Sequence, residues 1–181
     1  MKHLRYLGIL ALVLSVPAMA QDTGSAPAAD MERITTMADG GNTEAALEAL
    51  DELLAEDPDN LEALYYQGLL HLEQDNTSAA RDAFLRVVER YPEVVEALNN
   101  LALTYARDGE YERARRSLLS AIARDPDYAT AKSNLGDLYL RMAVEAYRDA
   151  DEIYSGDPTG REAADANQAK LEFLQQMFES R

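Results

Sequence analysis

Pro58, Pro92 and Pro126 stand 34 residues apart, and the stretches around them read alike: AEDPDNLEALYYQG, ERYPEVVEALNNLA and ARDPDYATAKSNLG. A fixed period of this length marks a repeat array, whose units cannot each bury their own apolar surface and therefore stack. Other columns keep the same interval. Gly68, Ala102 and Gly136 form one, His71, Tyr105 and Tyr139 another, and Ala46, Ala80 and Ala114 a third. Leu50, Phe84 and Leu118, then Leu53, Val87 and Ala121, complete the set. Within one unit the columns fall at helical spacings: Gly68 and His71 are i, i+3, and Ala80, Phe84 and Val87 are i, i+4, i+7. Each unit is therefore two amphipathic helices. Turn sequences separate them: DGGN at 39–42, QDN at 74–76 and RDGE at 107–110.

The columns have physical reasons. A small residue in the first helix facing a small one in the second lets two backbones approach, and Phe84 or Leu118 fills the space beside the crossing. Proline cannot continue a helix and restrains the residue before it, so each second helix stops in register. Acidic residues just beyond, such as Asp59 with Glu62 three further on, suit the next helix start.

On these columns the chain resembles the tetratricopeptide repeat family. The resemblance rests on LYYQGLLHLEQDNTSAARDAFLRVVERYP (64–92), LNNLALTYARDGEYERARRSLLSAIARDP (98–126) and the first half of SNLGDLYLRMAVEAYRDADEIYSGDP (133–158). It spans about residues 30–158 and implies an all-α fold: a right-handed superhelix of antiparallel helix pairs, an α-solenoid with first helices lining the concave side. Residues 31–158 then hold four repeats, of which the first (Ile34 in place of the small residue) is degenerate and the fourth is short. From Pro126 to Pro158 is 32 residues, two fewer than the period, and YLRMAVEAY contains no turn residue. A tight bend is expected there, with a helix running straight through as the alternative. Gly136 is expected to lie at van der Waals distance from a neighbouring helix. After Pro158, residues 159–181 open with Thr159 and Glu162 as a capping box and carry Leu171, Leu174 and Phe178 on one face, with Met177 beside it. This reads as the helix that closes the end of the array, or alternatively as a partner-binding or dimerising helix.

Residues 1–20 combine a basic start (MKHLR), an apolar run from Tyr6 to Val16 and AMA before Gln21, the three parts of a secretory signal peptide. The run of 11 residues is short for an uncleaved membrane anchor, which needs about 20. Residues 21–30 (QDTGSAPAAD) read as a linker. Export is thus expected, to the periplasm in a cell with two membranes, with no stable membrane insertion after cleavage. Cleavage leaves fifteen basic residues (17 less Lys2 and Arg5) against 33 acidic, a net −18. Such a surface repels phosphate backbones, which excludes nucleic acid and favours a protein or peptide partner of basic or mixed charge. The chain has no cysteine, so thiol chemistry and cysteine metal sites are excluded.

No catalytic, cofactor or metal site is legible. The mature chain has one histidine, His71, in a column otherwise held by tyrosines, which fits a packed imidazole better than a general base. Zinc needs several His or Cys ligands. RARR at 113–116 is flanked by Glu110 and Glu112 and reads as a solvated face.

What the resemblance implies about binding is more specific. Residues of the first helices that lie off the packed columns face the groove: Tyr65, Tyr66 and Leu69, then Asn99, Asn100 and Leu103, then Ser133, Asn134 and Asp137. Asn100 and Asn134 are 34 apart. An amide both donates and accepts, so such a ladder suits an extended peptide backbone, and the tyrosines suit flat apolar contact. Family members that grip a C-terminal carboxylate line the groove with lysine and arginine. Here those places hold Met31, Tyr65, Asn99, Asn100 and Ser133, with only Arg107 and Arg141 near. The expectation is a non-catalytic interaction module or scaffold of the cell envelope. The alternatives are an assembly factor or chaperone-like subunit of a secretion or pilus system, and an enzyme using groove carboxylates.

Overall fold

The computed structural model describes residues 26–155 and 161–179. It is built of α1 (Ala26–Asp39), α2 (Thr43–Glu56), α3 (Leu61–Glu73), α4 (Thr77–Arg90), α5 (Val95–Arg107), α6 (Tyr111–Arg124), α7 (Ala129–Ser155) and α8 (Arg161–Glu179), with no strand among the described residues. Consecutive helices pack as antiparallel pairs, and each pair packs on the next. The signal peptide expected over 1–20, and Thr159, lie outside the described residues.

The columns form the core. Ala46, Ala80 and Ala114 are fully buried, as are Leu50, Phe84, Leu118, Val87 and Ala121 within a few per cent. Each large apolar side chain so buried contributes roughly 1.5–3 kcal/mol. Gly68 shows why the first-helix column is small: a Cβ there would sit 2.7 Å from the ring of Phe84. In the degenerate first repeat Ile34 occupies that column and is fully buried, alongside Met31.

The turns inside the pairs repeat as closely as the core does. Gly41, Asp75 and Gly109, 34 residues apart, all have positive φ (82°, 60° and 75°). The following backbone N–H groups of Asn42, Asn76 and Glu110 donate to the carbonyls of Met37, His71 and Tyr105 at 2.8–2.9 Å, while Gly41, Asp75 and Gly109 donate to Ala38, Leu72 and Ala106. This is the Schellman closure of a helix on a left-handed residue.

Polar staples join successive repeats away from the core. Arg81 pairs with Asp108 and, at 2.9 Å, with Glu110, and its guanidinium lies 4.7 Å above the Tyr105 ring. Arg107 reaches back to the carbonyl of Leu72 (2.7 Å) and to Asp75 (2.9 Å). Arg86 donates to the carbonyl of Pro58, Tyr91 to that of Asp59, and Arg124 to that of Pro92.

Three expectations are corrected. The linker expected over 21–30 is helical from Ala26 onward, because Ala26, Ala28 and Ala29 favour helix and Pro27 is tolerated in a first turn. The tight bend expected in the fourth repeat does not form: α7 runs unbroken for 27 residues. The next position in the left-handed register is Ala143, and none of residues 140–146 is Gly, Asn or Asp. A left-handed alanine costs roughly 1–2 kcal/mol, whereas alanine is the best helix former. Gly136, expected against a neighbouring helix, has nothing within 4 Å of where its Cβ would be, because the second helix of its own pair does not fold back. α8 instead lies along the second half of α7, with Leu171 buried and the Asn167 amide donating to the carbonyl of Tyr147 at 2.7 Å.

Candidate functional site

The first helices α3, α5 and α7 stand side by side and bring the expected groove residues onto one face. Their side chains bond to one another in a line. The Asn134 amide donates to Oδ1 of Asn99 at 2.7 Å, the Asn99 amide faces Oδ1 of Asn100 at 3.5 Å, and the Asn100 amide donates to the Tyr65 hydroxyl at 2.9 Å. The two short bonds each span 35 residues, one repeat plus one, so the same step recurs between successive repeats.

This line is largely internal. Asn99 and Asn100 are 6 % and 5 % exposed, so their amides serve the stacking of α3, α5 and α7 rather than presenting a free ladder to a peptide. Buried amides must find partners, and the helix in the next repeat is the nearest source. Tyr65 is half-buried, meets Phe84 edge to face at 5.8 Å between ring centres, and has its hydroxyl pushed well above the usual phenol range. Burial is the main cause, opposed by the Asn100 bond, with Tyr128 and Glu96 adding to it. Tyr128 is pushed up to about 12 by burial, with Glu96 and Asp125 contributing.

Beside the line lies a more open row. Tyr66, Leu69 and Leu103 are half-buried and packed against the core from outside, Asn134 and Asp137 are half-buried, and Ser133 is exposed. Burial raises the Tyr66 hydroxyl, helped by Asp39 and Glu73. Glu62 is exposed and Glu96 half-buried on the same helices, so the row is apolar and aromatic with acidic neighbours. That arrangement suits an apolar or basic side chain. Among the described residues no group of His, Asp and Glu is placed to hold a metal ion.

His71 sits half-buried near the end of α3, its Nδ1 buried without a hydrogen-bond partner. Burial pushes its pKa down, and Asp51 on α2 opposes this. The inter-repeat bonds of Tyr65 and Asn99 were not foreseen from sequence, although two polar pairs separated by one repeat plus one, Tyr65–Asn100 and Asn99–Asn134, are visible in it.

Among solved structures the fold is similar to MamA (21 % identity, TM-score 0.58, covering 90 % of this chain and 98 % of that one). It is also similar to the first repeat domain of Spaghetti (RPAP3) bound to the HSP90 peptide SRMEEVD (13 % identity, TM-score 0.60, 64 % and 92 % covered). A third likeness is to the Thermobaculum terrenum O-GlcNAc transferase (27 % identity, TM-score 0.55), of which this chain spans 27 % while 70 % of its own length is covered. No curated protein sequence matches the chain. The tetratricopeptide repeat family model matches residues 37–95, 67–127 and 99–158. With stacked helix pairs, a core built on the repeat columns and this match over most of its length, the chain belongs to the tetratricopeptide repeat family, whose members mediate protein–protein interaction.

Proposed function

We propose that this protein is a non-catalytic interaction module of the cell envelope, exported by its N-terminal segment, that holds a polypeptide along the face of α3, α5 and α7. The observation that carries this is the open row of Tyr66, Leu69 and Leu103 with Ser133 and Asp137, set on helices locked together by the Asn99–Asn100–Asn134 line. In this reading the buried amides position the row, and Tyr66, Ser133, Asn134 and Asp137 meet the partner. A rigid surface binds without the entropic cost of ordering it. The likeness to a repeat domain bound to a peptide supports a polypeptide ligand. The places where a carboxylate-gripping groove carries basic residues hold Tyr65, Asn99, Asn100 and Ser133 here, so the ligand is an internal segment with basic and apolar side chains rather than a chain terminus.

A photo-crosslinking residue at Ser133, compared with one at Glu89 on α4, tests the reading in intact cells. Both positions are exposed. Capture of a polypeptide from Ser133 and not from Glu89, weakened by Tyr66→Ala, is the expected result; capture from Glu89 alone moves the site to the second helices. Export is checked by the mature mass, which begins at Gln21 in this proposal, whereas a product retaining Met1 in the membrane contradicts it.

A further inference from the structure

The unbroken α7 leaves half of a repeat contact unmade. In the second repeat Gly68 stands against Phe84 of its own pair. In the fourth, Gly136 meets nothing and Tyr139 is 47 % exposed. The residues that would have met them, Ala146, Ala150 and Ile153, lie on the same stripe of the same helix, and Ile153 is 73 % exposed. Leu119 on α6 is 39 % exposed, although Leu85, one repeat earlier, packs against the core. Leu119, Tyr139 and Ile153 are three of the four large apolar side chains exposed among the described residues. A cleft of about 500 Å³ lies between the start of α6 and the second half of α7, where Met142, Glu145, Ala146 and Asp149 line it. The other stripe of α7, with Val144 buried and the carbonyl of Tyr147 bonded by Asn167, is already taken by α8.

We propose that a second copy of the chain closes this face. Two α7 helices pack antiparallel about a two-fold axis near Ala143, and the second half of each serves as the missing second helix for the first half of the other. The register comes from the repeat itself. Gly68 faces Phe84 sixteen positions on, and with two residues lost Gly136 faces the counterpart of Phe84, Ala150, fourteen on. The midpoint is residue 143, one residue from the centre of Ala129–Ser155. An isologous pair therefore makes the same contact twice. The contact also continues an interface already present in the chain, since the incoming helix extends the row of α2, α4 and α6 over Leu119. Charge agrees with the antiparallel sense. The first half of α7 has Lys132 and Arg141 against one acid, and the second half has four acids against one base. Lys132, in the column held by Leu64 and Leu98, then faces the end bearing Asp149 and Glu152. Closure within one chain needs a left-handed residue that 140–146 do not offer; closure between chains needs no turn at all.

Sedimentation of the full chain from 1 to 100 μM, with helicity followed by circular dichroism, tests this. The expected result is a dimer with twice the monomer mass. Gly136→Leu, which meets nothing in the single chain, and Ile153→Glu each weaken it at least tenfold while helicity is kept. The chain has no cysteine, so Ala143→Cys reports the axis directly. It forms a disulfide with its own counterpart under mild oxidation much faster than Ser120→Cys, an exposed position on α6. A monomer throughout the range, a dimer indifferent to both substitutions, or equal crosslinking at residues 143 and 120 overturns the proposal. None of these readouts depends on the partner of the α3–α5–α7 face.

Discussion

Gly68 touches Phe84 so closely that a single added carbon on the glycine would lie 2.7 Å from the ring, whereas the same carbon on Gly136, two repeats later in the same column, would meet nothing. Two glycines that the repeat makes equivalent are thus opposite in what they tolerate. Gly68→Ala forces the Phe84 ring to move and is expected to cost about 1–3 kcal/mol despite the better helix propensity of alanine. Within the single chain Gly136→Ala removes only backbone freedom from the unfolded state, and at concentrations too low for two copies to pair it is expected to add about 0.5–1 kcal/mol. Urea unfolding of the two variants side by side, with shifts of opposite sign, checks the pair.

Asn100→Ala leaves the Asn99 amide short of an acceptor and the Tyr65 hydroxyl without its donor, in a region almost closed to water. A loss of roughly 1–3 kcal/mol is expected. In a cycle with Tyr65→Phe the coupling is expected at about 0.5–1.5 kcal/mol, the net value of one neutral hydrogen bond. Additive single effects, measured by chemical denaturation, contradict the bond.

His71 carries a pH dependence whose sign follows from its environment. Burial holds its folded pKa below the ordinary value near 6.5, so below that value the unfolded chain binds more protons than the folded one. The stability it contributes is complete above about pH 6.5 and is lost as pH falls. His71→Tyr, which restores the residue type of Tyr105 and Tyr139, is expected to flatten the fall in urea midpoint between pH 7 and pH 5. A His71 proton titration by NMR with a midpoint at or above 6.5 contradicts the assignment.

Asp75 is the one non-glycine residue with positive φ among those described, at a position that Gly41 and Gly109 occupy elsewhere. The Asp75 side of its pair with Arg107 is exposed, and Arg107 keeps its bond to the Leu72 carbonyl without it, so the pair contributes little. Asp75→Gly is therefore expected to raise stability by about 0.5–1 kcal/mol, and Asp75→Val to lower it by roughly 1–2 kcal/mol, since β-branched residues are strained there. Thermal melts of the two variants moving in the same direction exclude this account of the turn.

For the first three repeats the sequence by itself determined the period, the two helices per unit and the buried second-helix columns, because each follows from residue size, apolar spacing and proline and needs only the neighbouring unit to be satisfied. Ala80, Phe84 and Val87 are in the core for reasons written within eight residues of chain. Only the tertiary structure decided what the polar groove residues do. Asn99 and Asn100 look like free amides in sequence, and become buried links because the helix one repeat away supplies Tyr65 and Asn134 at hydrogen-bond distance. It also decided the fourth repeat. The columns of Gly136, Ala146 and Ala150 ask for a folded pair, but the pair requires a left-handed turn residue, and with Ala143 in that place local helix propensity overrides the pattern and α7 runs straight. A contact between elements can be read from sequence when both partners and the turn between them are encoded; where the turn is missing, the faces remain and their occupant is settled by packing alone.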